Sequence, residues 1–255
     1  MKPARLTHLE TRMLPVEEVS AIAPLGDGFA LLAHDDDGIL LLSPGPGGEL
    51  STRLLVSLDD LEGLCLSDDG SVAYAVAEGS GEVSSLAVRG RGASVTLSPP
   101  SLLGTLAPPR RGGARNKGWE GAAYLPAQTT GGRDPGLLFV HEDKPKSLAW
   151  FLLDGLEPVA EVTLDGALDR ELDDLSDVAL CPTTGHLFLL SDESRCLAEV
   201  TWDWTSPRLE LLGLTPLEAL LPKKGKPEGL AFESPDRLVL VTDASRQLLR
   251  FRVER

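Results

Sequence analysis

With 255 residues, 39 acidic against 24 basic side chains and a net charge of −15, the chain repels nucleic-acid phosphates and anionic lipid and attracts cations or basic partners at long range. No apolar run is long enough to span a bilayer, and the first six residues lack the apolar stretch of an export signal. Neither nucleic acid nor a membrane span is therefore expected, and the chain as given should be cytoplasmic, or extracytoplasmic if an N-terminal export segment has been removed.

In chain order, the first candidate strand covers residues 5–10. A short motif then begins, in which a Glu or Ser leads three small or apolar residues: Ser20-Ala21-Ile22-Ala23. It recurs as Glu62-Gly63-Leu64-Cys65, Glu120-Gly121-Ala122-Ala123, Ser176-Asp177-Val178-Ala179 and Glu228-Gly229-Leu230-Ala231. The intervals of about 40 to 60 residues are those of propeller blades or two-helix solenoid units. Each copy is followed by a turn and a second apolar run, such as residues 136–140, 186–190 and 237–241, short and rich in Leu, Val and Phe as buried strands are. Third runs follow at 147–152 and 247–252, and a weaker fourth at 160–164. Helical spacing of apolar residues is confined to residues 211–221, and 26 Gly with 19 Pro argue against a helical solenoid.

The pattern predicts an all-β fold: one domain over residues 1–255, a five-bladed β-propeller of four-stranded antiparallel blades, with six blades, one degenerate, as the alternative. The last repeat has only three strands after Glu228, so residues 5–10 should supply its fourth and close the ring. Cys65, Cys181 and Cys196 are odd in number and lie in or beside predicted strands, which reads as buried free thiols.

In an antiparallel hairpin the start of the first strand lies beside the end of the second. The residues just past each second run read His34, Glu78, Glu142, Asp192 and Asp243, so these acids and the lead residues Glu62, Glu120 and Glu228 should share one mouth of the central channel, with Asp177 and Glu193 close by. Like charges in a desolvated mouth repel by on the order of 4 kcal/mol per pair at 4 Å and an effective dielectric of 20. A hard cation is one remedy: Ca²⁺ takes six to eight oxygens in irregular geometry, and the absence of paired His or Cys ligands argues against zinc. The candidate ligand set is Glu62, Glu120, Glu228, Glu142, Asp192 and Asp243. Neutralisation by Lys117, Lys144, Lys146, Arg195, Lys226 and Arg246 is a second remedy, and protonation of one or two carboxylates a third.

The longest connections, residues 98–119 and 212–227, open on the same rim, where binding loops are commonly carried. Arg110, Arg111 and Lys117 make the first of them a basic patch fit for an anionic group or an acidic partner, and Lys144, Arg195 and Arg246 extend that rim. Trp119 beside Glu120 reads either as a stacking surface for a ligand or as a wedge between blades.

The stretch Asn116-Lys117-Gly118-Trp119-Glu120-Gly121-Ala122-Ala123-Tyr124, with His141-Glu142-Asp143-Lys144-Pro145 after it, resembles the third repeat of the SdiA-regulated, YjiK-like family. Residues 172–178, continuing to Leu190-Ser191-Asp192-Glu193-Ser194-Arg195, and Lys226-Pro227-Glu228-Gly229 with Val241-Thr242-Asp243 resemble its later repeats, and the order Ser, Glu, Glu, Ser, Glu at the lead positions is also the family's. The resemblance implies a small β-propeller with a calcium-binding mouth and no established reaction. Two features depart from the family pattern. The N-terminal anchoring or export segment typical of the family is missing, and Asp243 stands where a glutamate is usual and Asp192 where the family can have histidine. A non-catalytic, calcium-binding protein that holds a ligand or partner at one rim is the leading functional reading. The alternative is a metal-dependent hydrolase of a phosphoester or lactone, with Glu120 or Glu142 as catalytic base.

Overall fold

The computed structural model describes residues 3–107, 118–142 and 144–255. Five antiparallel sheets stand in a ring. Blade 1 comprises Val19–Gly26, Phe29–His34, Gly38–Pro44 and Leu50–Val56, and blade 2 comprises Leu61–Leu66, Val72–Ala77, Glu82–Arg89 and Ser101–Thr105. Blade 3 follows with Trp119–Leu125, Gly136–His141, Ser147–Leu152 and Pro158–Thr163, and blade 4 with Asp177–Leu180, Leu187–Ser191, Cys196–Asp203 and Arg208–Pro216. Blade 5 is Pro227–Ser234, Arg237–Thr242 and Gln247–Glu254, completed by the N-terminal strand Arg5–Met13. That strand runs antiparallel to the last, Arg5 opposite Glu254 and Met13 opposite Gln247. It is three residues longer than the run expected from the sequence.

The hydrophobic core is divided into five clusters, one at each blade-to-blade interface, and the division follows from the recurring motif. The third residue after the lead in one blade (Ala23, Cys65, Ala123, Ala179, Ala231) packs with the second residue after the lead in the next blade (Leu64, Ala122, Val178, Leu230, Ile22). At four interfaces an alanine faces a larger residue and at the fifth Cys65 faces Ala122, so the inner strands approach closely and still fill the gap. The second strands are covered on both faces by neighbouring blades, and for that reason Leu137, Leu138, Phe139 and Val140 form an unbroken apolar run instead of alternating with polar residues.

Three local expectations change. Ser101–Thr105 pairs with Glu82–Arg89 as the fourth strand of blade 2, so the connection there is shorter than residues 98–119 suggested. The 211–221 stretch is not a helix: Arg208–Pro216 is the outer strand of blade 4, which shortens the second long connection as well. A short helix, Gly166–Glu171, joins blades 3 and 4, and the buried Lys146 ammonium donates to the carbonyls of Asp169 (2.9 Å) and Leu172 near its C-terminal end. All three cysteines are buried and free.

Candidate metal centre at the acidic mouth

The lead residues owe their position to a bulge. The pairing of first and second strands slips between Val19 and Ala21, Leu61 and Gly63, Trp119 and Ala122, and Pro227 and Gly229, so in blades 1, 2, 3 and 5 an extra residue is inserted at the lead position. A bulge of this kind re-aims a side chain at a strand's end. In blade 4 the pairing is regular from Asp177 onward, and Asp177 is itself 2% exposed. Its carboxylate accepts from Leu230 N at 2.6 Å and Val178 N at 2.7 Å, joining the inner strands of blades 4 and 5. A Cβ built on Gly121 would lie 2.0 Å from Asp177 Oδ1, so the glycine of blade 3 makes room for the aspartate of blade 4.

Second strands end at His34, Ala77, His141, Ser191 and Thr242. The residues that follow are therefore Asp35, Glu78, Glu142, Asp192 and Asp243, acidic in all five blades, and Asp35 rather than His34 occupies the position in blade 1. Ser20 Oγ donates to Asp35, so a serine lead also serves a carboxylate. A further set lies two residues ahead of the leads: Glu18, Asp60 and Asp174, with Lys226 in blade 5. Asp60 accepts from Gly79 N at 2.7 Å, and Asp243 accepts from Glu18 N at 3.0 Å.

Glu78, Glu120 and Glu142 come closest together. One carboxylate oxygen from each lies within 4.8 Å of the other two, and this is the one such triad of potential ligands among the described residues. Gly118 N donates to Glu78 Oε1 at 3.2 Å and steadies one member. Glu62 and Glu228 flank the triad without joining it. Of the six ligands expected from sequence, Glu120 and Glu142 converge, Asp192 is held in an ion pair, and Glu62, Glu228 and Asp243 are spread around the mouth.

The field at this mouth is strongly negative. Burial, then the like charges of Glu62, Glu78, Glu142 and Glu228, holds the Glu120 carboxyl well above the ordinary range. Burial and then Asp192 do the same to Glu228. Burial, with Asp35 and Glu78 beside it, pushes Glu62 up to about 8. Asp174 is pushed to about 8 by burial and by its hydrogen bond to the Asp192 carboxylate, which is itself pulled below its usual range, against its burial, by its bonds to Asp174 and Lys226.

The cations expected to neutralise this ring mostly do other work. Lys226 Nζ lies 2.9 Å from Asp192 Oδ2 and pairs with that mouth carboxylate. Arg195 donates to the carbonyls of Leu221 (3.0 Å), Pro222 (2.9 Å) and Gly225 (2.9 Å) and so fastens the connection between blades 4 and 5. Arg246 Nε is 3.7 Å from Glu17, and Lys146 is spent on the helix end. The spacing shared by Asp192 with Arg195 and Asp243 with Arg246 is turn geometry: each Arg N donates to its Asp carbonyl, and each Arg has positive φ. Lys144 is exposed on the rim. Arg110, Arg111 and Lys117 lie outside the described residues. Trp119 is 4% exposed, packs edge-on against Phe151 and donates Nε1 to Ala107 O at 3.2 Å. It sits as a wedge between blades 2 and 3, the second of the two readings its sequence position offered.

The opposite end of the channel is mostly apolar. The residues four after each lead, Pro24, Leu66, Tyr124, Leu180 and Phe232, are half-buried around a cavity of about 330 Å³. Sequence reasoning passed over the Glu18, Asp60 and Asp174 set, although a constant offset from the lead residues marks it.

The ring is similar to several solved propellers. The glutaminyl cyclase of Myxococcus xanthus superposes with a TM-score of 0.64 at 15% identity, covering 99% of each chain. The PQQ-bound aldose sugar dehydrogenase of Streptomyces coelicolor gives 0.57 at 14%, covering 100% of this chain and 99% of that one. The PQQ domain of Coprinopsis cinerea pyranose dehydrogenase gives 0.54 at 9%, covering 99% and 98%. These likenesses show the fold. No match was found among curated protein sequences. Residues 29–251, from the second strand of blade 1 into the third strand of blade 5, match the SdiA-regulated family, and the chain belongs to that family.

Proposed function

We propose that the acidic mouth binds Ca²⁺ and that the rim around it holds a small ligand or a protein partner. The observation that carries this reading is the triad of Glu78, Glu120 and Glu142, whose oxygens lie within 4.8 Å of one another. Oxygens that share one Ca²⁺ at about 2.4 Å are at most about 4.8 Å apart, a limit that the triad meets. The donors are all carboxylate oxygens, which suits a hard cation better than zinc. Bound there, the ion supplies positive charge to offset the crowded carboxylates and a Lewis acid that polarises an oxygen of whatever the rim holds. Glu78, held by Gly118 N, and Glu120, fixed at its bulge, keep the ligand oxygens in place before the ion arrives. Equilibrium dialysis with radioactive calcium tests the reading: the protein should bind the ion, Glu120→Gln should weaken binding, and zinc should compete poorly. Equal retention of calcium by protein and Glu120→Gln variant contradicts it.

A hydrolase of a phosphoester or lactone is the second reading, favoured by a carboxyl outside the triad that burial holds protonated near neutral pH. Glu62, with its pKa at about 8, can donate a proton beside the ion. Several similarly folded proteins are enzymes, including a glutaminyl cyclase and sugar dehydrogenases. Turnover of phosphoesters or lactones by calcium-loaded protein, lost in both Glu120→Gln and Glu142→Gln, would establish this reading over a purely binding role.

A further inference from the structure

On the face of the ring away from the acids, between blades 3 and 4, lies a second cavity of about 460 Å³, within the range of about 300–1,000 Å³ typical of small-molecule sites. Its walls are the turn over residues 182–186, the short 128–129 segment and the end of a blade 4 strand at Thr201, Trp202 and Trp204. In a chain with 25% charged residues, no Asp, Glu, Lys or Arg among the described residues lines this cavity. Its polar groups are the hydroxyls of several threonines, the Gln128 carboxamide and His186. His186 Nδ1 lies 2.7 Å from Glu199 Oε1, an oxygen that also accepts from Arg255 Nη1 at 2.7 Å, so these charges are matched with one another beside the cavity.

Two of the three walls are hydrogen-bonded turns. In the first, Cys181 N donates to His186 O at 2.8 Å and Gly185 N to Cys181 O at 2.9 Å. In the second, Asp203 Oδ1 accepts from Thr205 N at 2.9 Å, Thr205 Oγ1 at 2.7 Å and Ser206 N at 3.2 Å, which fixes the turn that carries the indoles. Trp202 and Trp204 stack with centroids 5.0 Å apart and planes 11° from parallel, and Trp150 meets Trp204 edge-on at 5.4 Å. Trp204 is half-buried, whereas Trp202 is 5% exposed and its Nε1 has no acceptor among the described residues. Buried indole N–H groups ordinarily find a partner.

We propose that this cavity binds a neutral carbohydrate of one or two sugar rings. A pyranose presents C–H groups on its faces and hydroxyls around its edge, which matches indole surface flanked by threonine hydroxyls and a carboxamide. A nucleotide or sugar acid would need an unmatched cation on the wall; the one guanidinium that reaches a lining hydroxyl, Arg255 Nη2 at 3.2 Å from Thr184 Oγ1, is already paired with Glu199. The net charge of −15 opposes such ligands further. The site is separate from the acidic mouth and independent of the calcium reading.

The chain has 4 tryptophans, and Trp150, Trp202 and Trp204 belong to this cluster, so indole emission reports on it. The full chain is titrated with maltose, cellobiose, lactose and N,N′-diacetylchitobiose, in calcium and again in chelator. At least one disaccharide should give a saturable emission change that is the same in both buffers. Calorimetry of a Thr183→Val, Thr201→Val double variant, which keeps every indole, should show binding weakened at least tenfold with an unchanged melting curve, and Trp204→Ala should abolish it. No saturable change with any of the four sugars overturns the proposal. Undiminished binding in both variants does so too, and a response lost in chelator would move the sugar to the acidic mouth and equally overturn it.

Discussion

Glu120 sits where burial and four neighbouring carboxylates act together, and its protonated form is the resting answer to that field. A cation is the other answer, and the two compete. Glu120→Gln removes a charged ligand while keeping the side chain's size, so calcium affinity should fall at least about tenfold, or about 1.4 kcal/mol, whereas Glu10→Gln on the N-terminal strand should leave it unchanged. Glu62 sets the sign of the pH dependence. Between its ordinary value of 4.5 and about 8, the folded protein holds a proton that the unfolded chain has released, so stability from this group is greatest below the unfolded value and falls as pH rises through the window. In chelator the melting temperature should therefore drop from pH 5 to pH 8. Calcium displaces the same protons, so its stabilising shift should grow over that interval. A calcium shift of the same size at both ends would contradict the coupling. Gly121→Ala is the structural counterpart: its Cβ meets the Asp177 carboxylate and Cα, and overpacking of this kind should cost about 1–3 kcal/mol in denaturant unfolding.

At the scale of the strand, the N-terminal Arg5–Met13 seals the edge of blade 5 and is tied to it by Arg250, which donates to Glu10 at 2.6 Å and to Glu233 at 2.8 Å. Deleting residues 1–13 would uncover Gln247–Glu254 as an edge strand. The truncated protein should aggregate or lose cooperative unfolding in light scattering and thermal melts; a monodisperse truncation with an unchanged transition would contradict this role. What could be read from the sequence tracks burial. Second strands such as Leu187–Ser191 announce themselves because both faces are covered. Outer strands are faint because water covers one face: Ser101–Thr105 looked like loop, and Arg208–Pro216 overlapped a stretch with helical spacing. The mouth was legible as chemistry, since the leads and the acids after the second strands are spaced by the hairpin. Its finer membership was not. One residue of strand length exchanges His34 for Asp35, and only the folded ring shows that Glu78 joins Glu120 and Glu142 while Glu62 stands aside.

The whole ring has two unlike ends. Five interfaces, each with an alanine on one side, hold the inner strands together, and they enclose a channel that is acidic at one mouth and lined mostly by apolar residues at the other. Carboxylates from several blades meet at the acidic mouth, so an ion bound there links blades 2 and 3 directly through Glu78, Glu120 and Glu142 and relieves the field felt by Glu62 and Glu228. Stabilisation of the ring as a unit is the consequence, because an ion bound only by the native state adds about 2.7 kcal/mol at a hundredfold excess over its Kd. The most direct test is a thermal melt at pH 8 of protein stripped of metal, with and without added Ca²⁺. A rise of several degrees in Tm, reversed by chelator and much reduced in Glu120→Gln, is the predicted result; an identical melting curve with and without calcium would contradict a calcium site at this mouth.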